Sequence, residues 1–198
     1  MNKRAANVRK HVQVDRRVRR SRDLLGDALL ALIQEKPFDT ITVQQVLDRA
    51  GVGRSTFYSH FRDKDDLFLS DAEDFLSQAA TCLSRRRDPS NRVAPVREFF
   101  THVGEMRTLH AALVAAGKVR DFVELGQGHF ARGIDRRLSE LPMSRTMERM
   151  PRAAMAHAFA GALFSLLEWW LAHPSVITPA EADELFHRMV WSGAACRG

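Results

Sequence analysis

Apolar residues recur three and four positions apart through almost all of this 198-residue chain. That is the spacing of helices with one buried face, and no run of alternating β-branched residues is long enough to make a strand. Leu25, Leu29 and Leu32 mark the core face of a first helix over about 19–35, ended by Pro37. Two short helices follow between 42 and 61. Leu67, Phe68, Ala72, Phe75, Leu76, Ala79 and Leu83 predict a longer fourth helix over about 64–86. Five more helices are expected near 92–104, 106–116, 118–140, 147–173 and 179–193, with Pro142 and Pro174 marking breaks. Thr178-Pro179-Ala180-Glu181 supplies an N-cap, proline at the first helical position and Glu at the third, a strong helix start. The expected fold class is all-α. The segment 85–91, RRRDPSN, reads as the main domain boundary.

The stretch 42–64, TVQQVLDRAGVGRSTFYSHFRDK, holds the densest local signal. Thr42 and Gln45 have the form of a capping box. Val43, Val46, Leu47 and Ala50 give the first short helix an inward face, and Gly51 stands where a sharp turn needs a left-handed backbone. Val52 is the apolar turn residue, Gly53 an acceptable N-cap, and the second short helix spans about 54–61. Asp63 can cap the next helix, with Asp65 and Asp66 placed in its first turn, where the helix dipole favours them. On the second short helix, Phe57 and Phe61 point to the core. Ser55, Thr56 and Ser59 lie opposite, Arg54 and Tyr58 on one flank, His60 on the other. Every position away from the core can hydrogen-bond and none is acidic. This is a helix-turn-helix outline, whose second helix fits the major groove of DNA.

Charge sharpens that reading. Residues 1–64 carry a net charge of +7 and residues 65–198 a net of −1, so the whole excess sits at the helix-turn-helix end. A basic bias confined to one end suits a polyanion bound there. Lys3, Arg4, Arg9, Lys10, Arg16, Arg17, Arg19, Arg20 and Arg22 precede or open the first helix. Such an arm can follow a DNA backbone or enter the minor groove. The expected organisation is a flexible basic arm at 1–18, the helix-turn-helix domain at 19–64, a connecting helix at 65–87 and a second helical domain at 88–198.

The segment from about 22 to 69 resembles the DNA-binding domain of TetR-family transcriptional regulators. The resemblance rests on Thr42-Val43, Ala50-Gly51-Val52, Ser55-Thr56-Phe57-Tyr58, His60-Phe61 and Lys64-x-x-Leu67. Leu47 stands where the family often has alanine, and Gly53 where a serine cap is common. The resemblance implies base-edge contacts from Gln44, Arg54, Ser55 and Ser59. It implies phosphate contacts from Thr42, Thr56, Tyr58, His60 and Lys64. It also implies a cytoplasmic, ligand-responsive homodimeric repressor on a near-palindromic operator in double-stranded DNA. In the family the two C-terminal helices of each subunit form a four-helix dimer interface. The residues agree: the helix at 147–173 carries Met155, Phe159, Leu163, Leu166, Leu167 and Trp170 on one side. A small-residue row of Ala154, Ala158, Gly161, Ala162 and Ser165 lies on another. The final helix adds Leu185, Phe186, Met189, Val190 and Trp191.

The second domain has residues for an apolar effector pocket: Phe99, Phe100, Met106, Leu109, Phe122, Phe130, Met155 and Phe159. Apolar residues at helical spacing are core by default, and the effector's identity is not written in them. No glycine-rich phosphate loop, His-Glu-x-x-His or Cys-x-x-Cys is present, so no enzyme, metal or cofactor is expected. Cys82 and Cys196 lack metal spacing and suit free thiols in a reducing cytosol. The basic N-terminus lacks the apolar stretch of a secretory signal, and no membrane span is expected. Two alternatives stay open. One is a chromosome-organising DNA-binding protein of this fold, the other a ligand-binding helical protein with a vestigial motif.

Overall fold

The computed structural model describes residues 3–142, 149–173 and 175–193. The side chains of Lys3, Arg4, Arg9, Lys10, Arg16 and Arg17, together with Cys196 and Pro174, lie outside the described residues. Ten α-helices run through the described residues: α1 (Lys3–Glu35), α2 (Val43–Ala50), α3 (Arg54–Tyr58), α4 (Lys64–Ala80), α5 (Cys82–Arg86), α6 (Val96–Glu105), α7 (Arg107–Ala115), α8 (Val119–Glu140), α9 (Arg152–Ala172) and α10 (Pro179–Gly193). The chain is all-helical, with a helix-turn-helix followed by a helical domain. It divides into two compact units: Met1–Asp71 with Ala111–Gly117, and Ala72–His110 with Lys118–Gly198.

In the first unit, Leu25, Leu29, Leu32 and Ile33 of α1 are buried with Phe38, Ile41, Val46, Leu47, Phe57, Phe61, Leu67 and Phe68. Helix α1 begins at Lys3, not near residue 19. No proline or glycine interrupts 3–18, so nothing local stops the helix there. The capping box of α2 forms in both directions: Gln45 N–H donates to Thr42 Oγ1 at 3.3 Å, and Thr42 N–H to Gln45 Oε1 at 3.0 Å. Gly51 closes α2 at φ 65°, ψ 29°, the left-handed conformation the turn requires. Asp63 Oδ1 accepts from the Asp66 N–H at 2.8 Å and caps α4.

Helix α4 stops at Ala80 and α5 resumes at Cys82, where one continuous helix to about residue 86 is expected from the periodicity. Thr81 explains the break: its Oγ1 donates to the Ser77 carbonyl at 2.9 Å, a back-bond that bends helices. The division between units falls inside α4, between Asp71 and Ala72, whereas segment 85–91 lies wholly within the second unit.

The second unit is organised by rings. Phe99 lies 4.7 Å from Phe130 and 5.7 Å from Phe164, and Phe130 meets Phe164 edge-on at 5.5 Å. Two glycines of α8 let neighbours approach. A Cβ on Gly126 would meet the Phe164 ring at 2.3 Å, and one on Gly133 the Ala80 carbonyl oxygen at 2.3 Å. Segment 88–92 is tied down by Arg137, which is 5% exposed. Its guanidinium donates to the carbonyls of Asp88 (2.7 Å), Ser90 (2.6 Å) and Arg92 (3.0 Å) and to Glu140 Oε2 (3.1 Å). Arg92 in turn pairs with Glu98 and, at 2.7 Å, with Asp183 of α10. Burial opposes the Asp183 carboxylate, but hydrogen bonds from His187 and Arg92 outweigh it and hold the pKa at about 2.

Helix α9 starts at Arg152, after Pro151, and is 21 residues long with a mean hydropathy of 1.2 over its most apolar window. Length and composition alone would allow it to cross a membrane. Met155, Ala156, Ala160, Leu163, Phe164, Leu167 and Trp170 are instead buried in the helical core. The rest of the helix leaves Ala154, Ala158, Ala162, Ser165 and Trp169 exposed. Thr178 and Glu181 form the expected capping box at the start of α10, with Glu181 N–H donating to Thr178 Oγ1 at 3.2 Å and Thr178 N–H to Glu181 Oε2 at 2.7 Å.

Candidate nucleic-acid interface

Helix α3 is held from below by two rings. Phe57 is fully buried and Phe61 nearly so, with centroids 5.7 Å apart. The helix proper ends at Tyr58, three residues short of the expected 54–61. The chain then tightens: Ser59 N–H reaches the Ser55 carbonyl, and His60 and Phe61 N–H both reach that of Phe57. Phe61 therefore keeps its place in the core through a turn rather than a further helical step. Gly53 opens α3 without a side-chain cap, so the N-terminal N–H groups of α3 have no hydroxyl or carboxylate from the cap residue.

Arg54, Ser55, Tyr58 and Ser59 are exposed, and Thr56 and His60 are half-buried. Tyr58 stands 52% exposed with its ring edge-on to Phe57 at 5.2 Å. Ser59 Oγ donates to the Thr56 carbonyl at 2.7 Å, and the His60 ring rests against Phe61. Thr42 is exposed at the start of α2, its hydroxyl accepting the capping bond from Gln45.

The polar residues of α2 sort into two rows. Gln45 and Arg49 turn toward the end of α1. Gln45 Oε1 accepts from Lys36 Nζ at 2.7 Å, and Arg49 grips Glu35 with bonds of 2.6 and 2.9 Å. Gln44 and Asp48 turn toward α3. Arg54 Nη2 donates to Gln44 Oε1 at 3.0 Å, and Gln44 Nε2 donates to Asp48 Oδ1 at 2.7 Å. The structure thus joins two of the expected base-edge residues, Gln44 and Arg54, and adds Asp48, which the residue pattern had not singled out. The i, i+4 spacing of Gln44 and Asp48 was the signal that could have found it.

Lys64 is placed differently from the phosphate contact expected of it. Its ammonium donates to the carbonyls of Phe38 at 2.7 Å and Ile41 at 2.9 Å, and lies 4.6 Å from the centroid of the Phe38 ring. Those carbonyls belong to the first residue of the short 3-10 turn Phe38–Thr40 and to the residue after it; that of Phe38 also accepts the Ile41 N–H, while that of Ile41 takes the lysine, which so closes the α1–α2 link. Arg22 also turns inward, donating to Ser70 Oγ at 2.7 Å with its guanidinium 5.7 Å from the Phe61 ring centroid. Arg19 and Arg20 remain exposed.

Of the residues suggested for an effector pocket, Phe99, Phe100, Phe130 and Met155 are buried in the second unit's core, and Met106, Leu109, Phe122 and Phe159 are half-buried. A polar group the sequence reading passed over stands near them in the chain. His129 of α8 is 9% exposed, and its Nε2 is the one buried side-chain nitrogen or oxygen among the described residues without a hydrogen-bond partner. Glu73 Oε1 is 3.7 Å away, too far for a good bond. Burial, with the nearby Arg132 charge, pushes the His129 pKa below its ordinary value and favours the neutral ring.

Comparison with known proteins adds to this geometry. Residues 25–70 match the family model of bacterial regulatory proteins, tetR family. Over 59 residues the chain is 37% identical to the uncharacterized HTH-type transcriptional regulator YxbF of Bacillus subtilis (strain 168), a match covering 29% of this chain and 16% of that protein's length. A TetR transcriptional regulator from Streptococcus agalactiae 2603V is 23% identical with a TM-score of 0.62, covering 91% of this chain and 98% of the other. The dihydroxyacetone kinase operon activator DhaS is 12% identical with a TM-score of 0.64, covering 88% and 96%. The two structures share the fold of this chain.

Proposed function

We propose that this chain, which is a TetR-family DNA-binding transcriptional regulator, acts as a ligand-responsive homodimeric repressor, reading a near-palindromic operator with one α3 in each of two adjacent major-groove segments. The observation that carries the reading is the exposed, acid-free face of α3 set beside the Gln44–Arg54 pair. Two such helices must sit about 34–36 Å apart to reach half-sites one helical turn apart. Arg54 is assigned to guanine, whose two major-groove acceptors match its fork, with Gln44, Ser55 and Ser59 beside it. Thr42, Thr56, Tyr58 and His60 are assigned to phosphates. Lys64 is left out of this set, because two of its three donors already serve the fold.

The dimer is assigned to α9 and α10. The exposed small residues of α9 permit close helix approach, and Trp169, Leu185 and Met189 are exposed apolar groups on the same two helices. An effector site in the second unit is supported by His129, whose buried Nε2 has no hydrogen bond and only a distant Glu73 carboxylate, a costly arrangement unless something bonds to it. An effector that prefers one separation of the two reading heads shifts operator affinity by its differential binding, typically about 1–3 kcal/mol. Helix α4, which runs from the first unit into the second, is the lever. Repression is the proposed sign, although the neighbour DhaS is named an activator.

The deciding experiment enriches duplexes from a random pool with purified protein, then measures Arg54→Ala on the enriched and on scrambled duplexes. Arg54→Ala should cost about 1–3 kcal/mol on the enriched duplex and little on the scrambled one. Equal losses on both would reduce Arg54 to a backbone contact and remove the central assignment. A reporter gene downstream of the enriched site then reads the sign of regulation.

A further inference from the structure

We infer that Asp48 is a specificity-determining positioning residue: through Gln44 it fixes the guanidinium of Arg54 in the orientation that reads the operator. The inference rests on the major-groove reading above and names what sets its selectivity.

The amide of a glutamine can turn over, exchanging its donor and acceptor ends, and a side chain free to do so presents two different faces to a base. Gln44 lies between a group that only accepts and a group that only donates. Asp48 Oδ1 takes its Nε2 at 2.7 Å, and Arg54 Nη2 gives to its Oε1 at 3.0 Å. With both partners present one orientation satisfies both bonds, and the opposite one sets oxygen against carboxylate and N–H against guanidinium. Asp48 is one helical turn from Gln44 on α2, a rigid mount, while Arg54 is on the next helix. The three side chains form a relay across the turn. Arg54 has five N–H donors, and only one is taken by Gln44, so a two-point edge remains for guanine O6 and N7.

The charge of Asp48 makes its presence informative. An acid beside a surface meant for a polyanion weakens binding to any duplex, because phosphates are alike in all sequences. Removing the acid should therefore raise affinity without regard to sequence. Removing the acceptor should lower discrimination alone. The two effects separate by substitution: Asp48→Asn removes the charge and retains an oxygen that can accept from Gln44 Nε2, whereas Asp48→Ala removes both.

The probes are a duplex enriched by the wild-type protein from a random pool and a scrambled duplex of the same length and composition, measured by fluorescence anisotropy at one fixed salt concentration. Both variants should bind the scrambled duplex severalfold more tightly than wild type. Asp48→Asn should keep the ratio of enriched to scrambled affinity within about twofold. Asp48→Ala should lower that ratio about three- to tenfold, the equivalent of one hydrogen bond. In a Gln44→Ala background, Asp48→Ala should lower it no further, since the relay is already cut. Asp48 is exposed, so thermal melting of each variant should stay close to wild type.

An unchanged ratio in Asp48→Ala would make Asp48 a repulsive charge and nothing more, and equal losses in the Asn and Ala variants would show that the accepted hydrogen bond is not the link. Either result overturns the inference while leaving groove recognition by α3 intact. A wild-type protein with no preference for its enriched duplex would instead overturn the groove reading, and the role of Asp48 with it.

Discussion

Two glycines on one helix should respond in opposite directions to the same substitution. Gly133 and Gly128 are both inside α8. Alanine is a better helix former than glycine by about 0.8–1 kcal/mol, so propensity alone favours both changes. Packing separates them. A methyl on Gly133 would stand 2.3 Å from the Ala80 carbonyl oxygen, 3.0 Å from its carbon and 3.2 Å from its Cβ. The two nearest are backbone atoms at the end of α4 and the third is fixed to that backbone, so none can rotate aside as a flexible side chain would. Overpacking of this kind typically costs about 1–3 kcal/mol, and displacing backbone belongs near the top of that range. Gly133→Ala should therefore destabilise by about 1–2 kcal/mol net. A methyl on Gly128 meets Arg132 Nη1 at 3.6 Å, an ordinary contact with the tip of a mobile chain, so Gly128→Ala should stabilise by about 0.5–1 kcal/mol. For a chain of this size each kcal/mol moves the melting temperature by about 2–4 °C. Thermal and urea melts followed by circular dichroism at 222 nm should show one variant rising and the other falling. A rise in both variants would mean that propensity governs both sites and that α8 does not approach α4 as closely as described, and a fall in both would refute the open space at Gly128.

Three other outcomes follow from the contacts. Lys64→Met should lower stability by about 1–3 kcal/mol by orphaning the Ile41 carbonyl and leaving that of Phe38 with the Ile41 N–H alone, and leave the salt dependence of DNA binding unchanged; a salt slope smaller by about one would put the ammonium on a phosphate after all. Asp183→Asn should cost stability at neutral pH. Its pKa is depressed from 3.8 to about 2, so its contribution is complete above about pH 4 and disappears as the pH falls toward 2. By 1.36 kcal/mol per pH unit, halved for partial solvent access, that is about 1 kcal/mol, and acid titration of the two proteins should show the gap closing in that window. On the proposed α9–α10 dimer, Ala158→Glu, on the exposed small row of α9, should shift sedimentation from dimer to monomer while the chain stays folded, and an unchanged dimer would place the interface elsewhere.

What was legible in the residue order was mostly what is settled within one turn of chain. The Thr42–Gln45 and Thr178–Glu181 boxes, the Gly51 turn and the Asp63 cap each depend on atoms three or four residues apart, and all four form. The Phe57–Phe61 pair was legible for the same reason. The break at Thr81 is also local, but a threonine hydroxyl inside an apolar stripe points to solvent as readily as it bends a helix. Only its bond to Ser77 decides between them.

Charged side chains were hardest to read, because each is long enough to choose among distant partners. Lys64 opens α4, where a cation is poorly matched to the helix dipole, and that mismatch is itself the physical hint that its ammonium is needed elsewhere. It reaches back to carbonyls 23 and 26 residues earlier. Arg137 and Arg92 turn a segment that composition marks as a linker, with three arginines, a proline and an asparagine, into a fixed strut joined to α8 and α10. The same reasoning limits what charge counting says about recognition. The net charge of the first 64 residues is +7, yet among its cations Arg49 is engaged by Glu35, Arg62 by Asp66, Arg22 by Ser70 and Lys64 by two carbonyls. Such pairing leaves the net charge and its long-range attraction to a polyanion in place, but takes these side chains out of close contact. On the reading proposed above, local selectivity then falls to the few donors that keep an edge open beside α3, and whether Arg54 presents that edge depends on the two bonds Gln44 makes, one to the Arg54 guanidinium and one to the Asp48 carboxylate.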